Sequence, residues 1–379
     1  MRRQDQPAPF PFNDPTLRQC YNGRAAIWHG VRRLGLGPDD KVLVPAYACG
    51  SEIDALLKAG LSLQSYRVLA DLSPDLKHLE ELCRAPAQAL LVTNYFGFPQ
   101  PFENLTEFTK RHDLLLIEDN THGMYSEDKS GQPLGSHGDL GIFSYPKCLP
   151  VPNGGAYVLN NSRLPAETPL PCSKPSGAAV VGKIKGLIEA DLLRRYPKGA
   201  RAIKGSFIDP LVEFLKRQLY SEYQPKSDRE AKSAFGGTTL VLDRVNWDLS
   251  AISRFLLVRA DHAAIKQARQ RNYRALDQHI VPGDRVRPLL DKMPDGACPW
   301  IYPLWVEAPA TLTAFMRAHY VECTRFWPDD HPAVSLDDFP FERNLRQHVM
   351  ILPVHQGLTP DDMKSVAELL NRWNSQDLS

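Results

Sequence analysis

The sequence predicts an α/β protein in which a mainly parallel central sheet lies between layers of helices and a smaller α+β domain follows. Helical and extended patterns alternate from Leu17 to Gly141, which is typical of sheets built from βα units. The chain has 379 residues, more than the roughly 250–300 at which a single core stops growing. A long helical pattern and further apolar runs come after these units. We therefore expect a large domain over residues 1–250 and a smaller one over 251–379.

The predicted βα units follow one another along the chain. GRAAIWHGVRRLGLG predicts a helix closed by glycine, KVLVPAY a buried strand, SEIDALLKAG a helix and LSLQSYRV a strand. DLKHLEELCRA and PFENLTEFTKRH predict helices, and they alternate with the strand patterns QALLVTNYFG and DLLLIED. Asp119 therefore comes at the carboxyl end of a buried strand, which is where open α/β sheets bind their ligands.

The alternation stops after this part of the chain. Residues 161–245 are rich in Pro, Gly, Lys and Arg, and we predict an irregular elaboration of the large domain there. Its basic residues could hold a diphosphate or form a solvated face; they include Lys183, Lys185, Arg194, Arg195, Lys198 and Arg201. DLSAISRFLLVRADHAAIKQARQRNYRALDQHI predicts one long helix, WIYPLWVEA and HVMILPV predict strands, and TPDDMKSVAELLNRWN predicts a capped C-terminal helix.

The composition limits the classes of partner. The 45 basic and 44 acidic side chains leave no net field to attract nucleic acid or a membrane surface. No apolar run approaches the roughly 20 residues of a membrane-spanning helix, so we expect no membrane insertion. The start MRRQDQPAPFPF has no apolar signal-peptide core, and the seven scattered cysteines form no CxxC pair. We therefore expect a cytoplasmic protein with free thiols and no metal site.

Residues 117–155 contain the candidate functional side chains, in IEDNTHGMYSEDKSGQPLGSHGDLGIFSYPKCLPVPNGG. Asp119 at a strand end and Lys147 farther along suit pyridoxal 5'-phosphate, which needs an anionic partner for its protonated ring nitrogen and an amine for its aldehyde. Considered singly, the aspartate could be a turn residue or a helix cap, and the lysine could be a solvated charge. Their occurrence together with paired glycines favours the cofactor interpretation.

The motifs EDNTH, GSHGD, FSYPK and NGG, in that order, resemble the DegT/StrS family of pyridoxal-phosphate sugar aminotransferases. The family pattern is E-D-x-A-(Q/H), G-S-x-G-D, F-S-(F/Y), a lysine and a glycine pair. The resemblance implies a type I aminotransferase fold in which Lys147 binds the cofactor aldehyde and Asp119 pairs with the pyridine nitrogen. It also implies that His122 lies against the ring and that Ser144 binds the phosphate. His122 could instead pack as a structural residue.

Two segments near the N terminus extend the resemblance. GRAAI is similar to the family's segment in which backbone amides at a helix start hold the cofactor phosphate, which implies this role for Arg24 and Ala25. VLVPAYACG is similar to V-P-A-Y-T-(F/W), where the last aromatic stacks on the ring. Cys49 stands at that position here, so that Tyr47 or His122 would have to cover this face of the ring.

A third segment implies a subunit contact. DRVNWDLSAISRF resembles N-Y-R-M-S, whose asparagine reaches the cofactor phosphate of a neighbouring subunit. Asn246 is the matching residue, and a surface turn is the alternative interpretation. With the family role, the protein would be a homodimer with its sites at the subunit interface.

The reaction implied by the resemblance is transamination. An amino acid, with glutamate as the expected donor, would load the cofactor, and the keto group of a nucleotide-linked sugar would accept the amine, in polysaccharide or glycoconjugate biosynthesis. Lys147 would serve as general acid and base. Two alternatives are a lyase or dehydratase acting on a deoxysugar and a non-catalytic binding or regulatory protein. Lysine at position 147 argues against the family's dehydratases, which carry histidine there.

Overall fold

The computed structural model describes residues 8–161, 173–195 and 239–375. Much of the predicted elaboration over 161–245 lies outside these residues, and so do Lys198 and Arg201. The side chains of Arg194 and Arg195 are also outside the described part. None of the described helices is both long enough and apolar enough to cross a bilayer.

A seven-stranded sheet forms the centre of the large domain in the described residues. Its strands are Arg18–Cys20 (β1), Lys41–Pro45 (β2), Ser62–Tyr66 (β3), Ala89–Thr93 (β4), Leu115–Asp119 (β5), Leu140–Ser144 (β6) and Gly155–Leu159 (β7). They lie in the order β1-β7-β6-β5-β4-β2-β3. Strands β2, β3, β4, β5 and β6 are parallel to one another, whereas β7 runs antiparallel to both β6 and β1. The sheet is therefore mainly parallel, as predicted.

Helices cover both faces of this sheet because its central strands are apolar on both sides. The helices on the two faces are Gly23–Arg33 (α1), Ser51–Lys58 (α2), Leu76–Leu82 (α3) and Phe102–Arg111 (α4). A further helix of this part of the chain is Gly177–Arg195 (α5). Val42 and Ile117 belong to the buried cluster that contains α1 and α2 side chains. Leu43 and Leu116, each one position away, belong to the cluster with α3 and α4. This alternation follows from the two-residue period of a strand.

A smaller antiparallel sheet, in the order β10-β11-β9-β8, forms the second part. Its strands are Val286–Pro288 (β8), Ile301–Val306 (β9), Thr324–Arg325 (β10) and Val349–Pro353 (β11). The accompanying helices are Ala251–Arg259 (α6), His262–His279 (α7), Pro309–Ala318 (α8), Pro340–His348 (α9) and Pro360–Asn374 (α10). Thr359 and Asp362 form the capping box that starts α10, as its sequence predicted.

The prediction of one long helix before this domain was wrong, because the segment forms α6 and α7. Ala260 ends α6 in an extended conformation, with φ −68° and ψ 135°. The Asp261 carboxylate then accepts a hydrogen bond from the backbone N–H of Ala264 at 2.9 Å and caps α7. Aspartate is a favourable N-cap, so this local hydrogen bond starts a new helix where the apolar pattern suggested continuity.

Glu118 attaches the loop that contains the GSHGD motif to the strand that ends in Asp119. The Glu118 side chain is fully buried. Its Oε1 accepts hydrogen bonds from the backbone N–H of Gly135 at 2.5 Å and from Asn94 Nδ2 at 2.8 Å, and its Oε2 accepts one from the N–H of His137 at 3.0 Å. Gly135 has a φ of +93°, and a Cβ there would overlap the Phe143 ring. In this protein the motif therefore holds the end of β5 in place.

We expect Glu118→Gln to lower the free energy of unfolding by about 1–3 kcal/mol, because an amide NH₂ would replace an acceptor and face buried N–H donors. Denaturant-induced unfolding of the purified protein measures this change. Glu107→Gln is the matched control, since Glu107 is an exposed residue of α4. Equal stability of the two variants would contradict the anchoring role.

Candidate active site

A cavity of about 750 Å³ opens at the carboxyl ends of the parallel strands. This volume is within the range of small-molecule and cofactor sites. Both parts of the chain line the cavity, with side chains that include Arg24, Cys49, Glu52, Asp119, Thr121, His122, Ser144, Lys147, Lys183, Trp300, Arg325 and Trp327. Residues distant in the sequence therefore share one site.

Asp119 and Lys147 are brought together by the sheet and linked through Thr121. Asp119 ends β5, and Lys147 ends the short 3₁₀ turn that follows β6, the parallel neighbour of β5. The backbone N–H of Thr121 donates to Asp119 Oδ1 at 3.0 Å. Lys147 Nζ donates to Thr121 Oγ1 at 3.1 Å. An amine and a carboxylate thus face the same cavity without forming an ion pair with each other among the described residues.

His122 and Trp300 form an aromatic wall beside the lysine. Their rings stack with centroids 4.5 Å apart and an interplanar angle of 27°. Lys147 Nζ lies 4.9 Å from the Trp300 ring centroid, within the range of a cation–π contact. The N–H of Phe96 donates to His122 Nδ1 at 3.3 Å, which assigns the ring proton of the neutral tautomer to Nε2. The pKa of His122 lies well below its usual value, mainly because the ring is buried and secondly because of the nearby charge of Lys147. The ring is therefore neutral.

The N terminus of α1 forms another part of the wall. Asn22 caps this helix, and its Oδ1 accepts a hydrogen bond from the N–H of Ala25 at 2.9 Å. A Cβ on Gly155 would overlap the backbone of Asn22 and Gly23, so the last glycine of NGG lets β7 approach the helix start closely. Gly23 and Arg24 line the cavity. The amides and the dipole of a helix start favour an anion such as a phosphate.

Cys49 and Glu52 line the cavity where the aromatic of the family pattern was expected. Burial is the main cause that raises the pKa of the Cys49 thiol to about 12, and the Glu52 carboxylate is the second. The thiol therefore remains protonated. Glu52 Oε1 accepts a hydrogen bond from the Cys49 N–H at 2.8 Å. Burial, with Asp119 as the second cause, raises the pKa of Glu52. This part of the wall is therefore less charged than its composition suggests.

The sequence-predicted site residues separate into two groups. The cavity brings together Asp119, Lys147, Arg24, Cys49, His122 and Ser144. Tyr47 is fully buried beneath it, with its ring stacked on Tyr95 at 5.7 Å, and is not a lining residue. Ala25 is buried in the first turn of α1, and Asn246 is exposed outside the cavity. The cofactor contacts of all the predicted residues, lining or not, stay predictions.

Sequence reasoning missed several lining residues, among them Thr121, Glu52, Trp300, Trp327 and Arg325. Thr121 was detectable in principle, because it lies inside EDNTH where the family pattern has alanine. Glu52 is in a helical pattern that gives no sign of a buried carboxylate. Trp300 and Trp327 come from the second part of the chain, far from every motif, and only the fold brings them to the cavity.

The lining residues fit pyridoxal phosphate in the described structure. The cavity presents a lysine amine, a nearly buried carboxylate, a neutral imidazole and the start of an 11-residue helix. These groups match the cofactor's aldehyde, pyridine nitrogen, ring face and phosphate in chemical character. Pyridoxal phosphate would be held by Lys147, Asp119 and the α1 N terminus.

Part of the sequence matches a known protein family. Residues 19–172 match the model of the DegT/DnrJ/EryC1/StrS aminotransferase family. GDP-perosamine synthase of Caulobacter vibrioides is 28% identical over 39% of this chain and 40% of its own length. GDP-4-keto-6-deoxy-D-mannose 3-dehydratase of Yersinia pseudotuberculosis is 27% identical over 33% of this chain and 32% of its own. The alignments thus span well under half of these relatives.

Structural similarity extends over almost the whole chain. A putative sugar aminotransferase from Streptococcus pneumoniae, solved in its PLP form, superimposes with a TM-score of 0.64 over 96% of this chain and 88% of that chain, at 16% identity. The superposition confirms the predicted type I fold. The match over residues 19–172 agrees with the predicted resemblance to the DegT/StrS family. Pyridoxal 5'-phosphate is the cofactor of this family and fold, as the sequence predicted.

Proposed function

We propose that this chain, whose residues 19–172 match the model of the DegT/DnrJ/EryC1/StrS aminotransferase family, is a pyridoxal-phosphate-dependent aminotransferase. It transfers the amino group of an amino acid, with glutamate as the expected donor, to the keto group of a nucleotide-linked sugar. The observation that carries the proposal is the placement of Asp119, Thr121 and Lys147 in one cavity, linked by two hydrogen bonds. The amino acid becomes an oxo acid and the keto sugar becomes an amino sugar.

Each side chain of the cavity has a separate role in the proposed reaction. When bound, pyridoxal phosphate supplies an electron sink for the substrate carbanion. Asp119 would keep the ring nitrogen protonated, and neutral His122 would present a flat face to the ring without competing for that proton. Lys147 Nζ would take the proton from Cα of the amino acid as a general base and deliver it as a general acid to the C4′ carbon of the bound cofactor. Trp300 excludes water from the amine, because its ring covers one side of Nζ.

The nucleotide-linked substrate is supported by cations in the cavity wall. Arg24, Lys183 and Arg325 line the cavity in addition to Lys147. Lys183 is exposed as a residue. Partial loss of solvent is the main cause that lowers its pKa, and the positive charge of Arg24 is the second. A diphosphate would relieve the repulsion between these two cations and form charge-assisted hydrogen bonds with them. We therefore propose that Lys183 of α5 contacts the diphosphate.

We expect Lys183→Ala to raise KM for the nucleotide-linked sugar about 10-fold or more, since a hydrogen bond to a charged group is lost. The half-reaction with glutamate should be unchanged, because it involves no diphosphate. Lys185→Ala on the same helix is the matched control, as Lys185 pairs with Glu189 at 3.6 Å. Steady-state and single-turnover kinetics separate the two effects. Equal KM values for the two variants would contradict diphosphate binding by Lys183.

A dehydratase is the second candidate, because one of the relatives has that activity. The two reactions differ in what glutamate does. An aminotransferase converts glutamate to an oxo acid and retains the amine on its cofactor, and a keto sugar nucleotide then removes it. Absorbance during sequential addition of glutamate and keto sugar nucleotides follows both steps. We expect a spectral change with glutamate and its reversal by the correct sugar; elimination of water from a deoxysugar would favour the dehydratase.

A homodimer is proposed from the position of Asn246. This residue is exposed and outside the cavity of its own chain, so it can serve a cofactor only in a second copy. Analytical ultracentrifugation of the holoprotein should show a dimer. A stable monomer with full cofactor occupancy would contradict the proposal. A cytoplasmic location stays a prediction from the sequence.

A further inference from the structure

We infer that Thr121 is a positioning residue whose hydroxyl holds the Lys147 amine in line for attack on an aldehyde. The inference rests on the proposed function, because it assigns this amine to a cofactor. Thr121 is 7% exposed, and its Oγ1 accepts a hydrogen bond from Lys147 Nζ at 3.1 Å. Its own N–H donates to Asp119 Oδ1 at 3.0 Å. One residue therefore fixes the carboxylate through its backbone and the amine through its side chain.

A hydroxyl is suited to this position because it can both accept and donate a hydrogen bond. It accepts an N–H from the protonated amine, and it can turn its own proton toward the lone pair of the neutral amine. A carboxylate in the same place would favour the ammonium form, which cannot attack an aldehyde. Among the described residues, Lys147 forms no salt bridge with Asp or Glu. Thr121 thus orients the amine without favouring its protonated form.

Trp300 restrains the amine from another direction. Its ring centroid is 4.9 Å from Lys147 Nζ, and its own ring is fixed by the stack on His122. Without the Thr121 hydroxyl, the cation–π contact would be the remaining restraint that the described residues give to Nζ. The amine would then sample positions away from Asp119 and the α1 N terminus.

Thr121 departs from the family pattern quoted above. The family pattern E-D-x-A-(Q/H) has alanine where EDNTH has Thr121, and an alanine side chain ends at Cβ and carries no hydroxyl. The backbone link to Asp119 is available to either residue. The side-chain link to Lys147 requires the hydroxyl.

The test is the rate at which apoprotein binds added pyridoxal phosphate covalently, followed by the absorbance of the attached cofactor. We expect Thr121→Val to slow attachment about 10-fold, as the loss of a hydrogen bond to an amine implies, and to weaken the circular dichroism of the cofactor band. Thr121→Ser should restore both. Thr109→Val is the matched control, because Thr109 is buried in α4 and its hydroxyl bonds to the backbone of that helix.

Each outcome decides between the hypotheses. Thermal unfolding of each apoprotein, with equal midpoints, shows that the variants are folded. Should Thr121→Val attach the cofactor as fast as wild type with an unchanged dichroism band, the inference on Thr121 is wrong and the proposed function stands. A Thr121→Ser variant as slow as Thr121→Val would also overturn it, since the hydroxyl would then not matter. Failure of the wild type itself to attach pyridoxal phosphate would overturn the proposed function.

Discussion

Lys147→Ala is expected to lower turnover by about 10²–10⁴-fold or more while leaving the protein folded. General acid–base catalysis alone contributes a factor of this size, and loss of the amine also removes covalent binding of the cofactor. Folding should persist because Lys147 is only partly buried and its hydrogen bond to Thr121 is an exchangeable polar contact. The helix start and Asp119 should still bind the cofactor without the covalent link.

Lys147→Arg should fail in the same way, because a guanidinium remains protonated and cannot attack an aldehyde. The charge is retained in this variant, so its failure separates chemistry from electrostatics. Lys129→Ala is the control, since Lys129 is highly exposed and contacts only Glu103 among the described pairs. Turnover of Lys147→Ala within a few-fold of wild type would contradict a catalytic role.

Asp119→Asn is expected to lower turnover by about 100-fold or more and to leave cofactor attachment to Lys147 intact. The reason is electronic, because the ring nitrogen loses its anionic partner and the substrate carbanion loses its sink. The geometry is conserved, since the amide oxygen of the introduced asparagine can still accept the hydrogen bond from the Thr121 N–H. This substitution therefore removes a charge and leaves the link to the lysine.

The measurement is a pair of assays on the same preparation. Absorbance gives the fraction of protein with attached cofactor, and the glutamate half-reaction gives the rate of proton removal. Asp291→Asn is the matched control at an exposed position. If Asp119→Asn lost attachment together with activity, the carboxylate would hold the cofactor and would not tune its electronics.

Much of the fold follows from local patterns in the sequence. The alternating runs before Asp119 predict β2, β4, β5 and the helices around them, because parallel strands buried on both faces are continuously apolar and the helices are amphipathic. β3, with the sequence SLQSY, is instead a partly exposed edge strand. Asp119 and Lys147 were also predictable, since their motifs stand in a fixed order. The split between α6 and α7 was not predicted, because Asp261 interrupts an apolar pattern that continues on both sides.

The remaining parts of the site depend on tertiary structure. Trp300 reaches Lys147 because its backbone N–H donates a hydrogen bond to the Phe96 carbonyl oxygen at 2.8 Å. This bond joins distant parts of the chain. Tyr47 is another example: the fold places its side chain in a buried aromatic cluster, and the cofactor contact that its motif implies stays a prediction. The direction of a side chain in a turn depends on its tertiary contacts, so it cannot be predicted from a short sequence motif.

The most direct test of the account is to locate the cofactor on the chain. Wild-type protein loaded with pyridoxal phosphate is reduced with borohydride, which fixes the cofactor to the amine that holds it, and is then digested for peptide mapping by mass spectrometry. We predict a single labelled site at Lys147, and loss of that label in Lys147→Ala. Label on Lys129, Lys183 or another lysine, or no label, would contradict the assignment of this cavity as the active site.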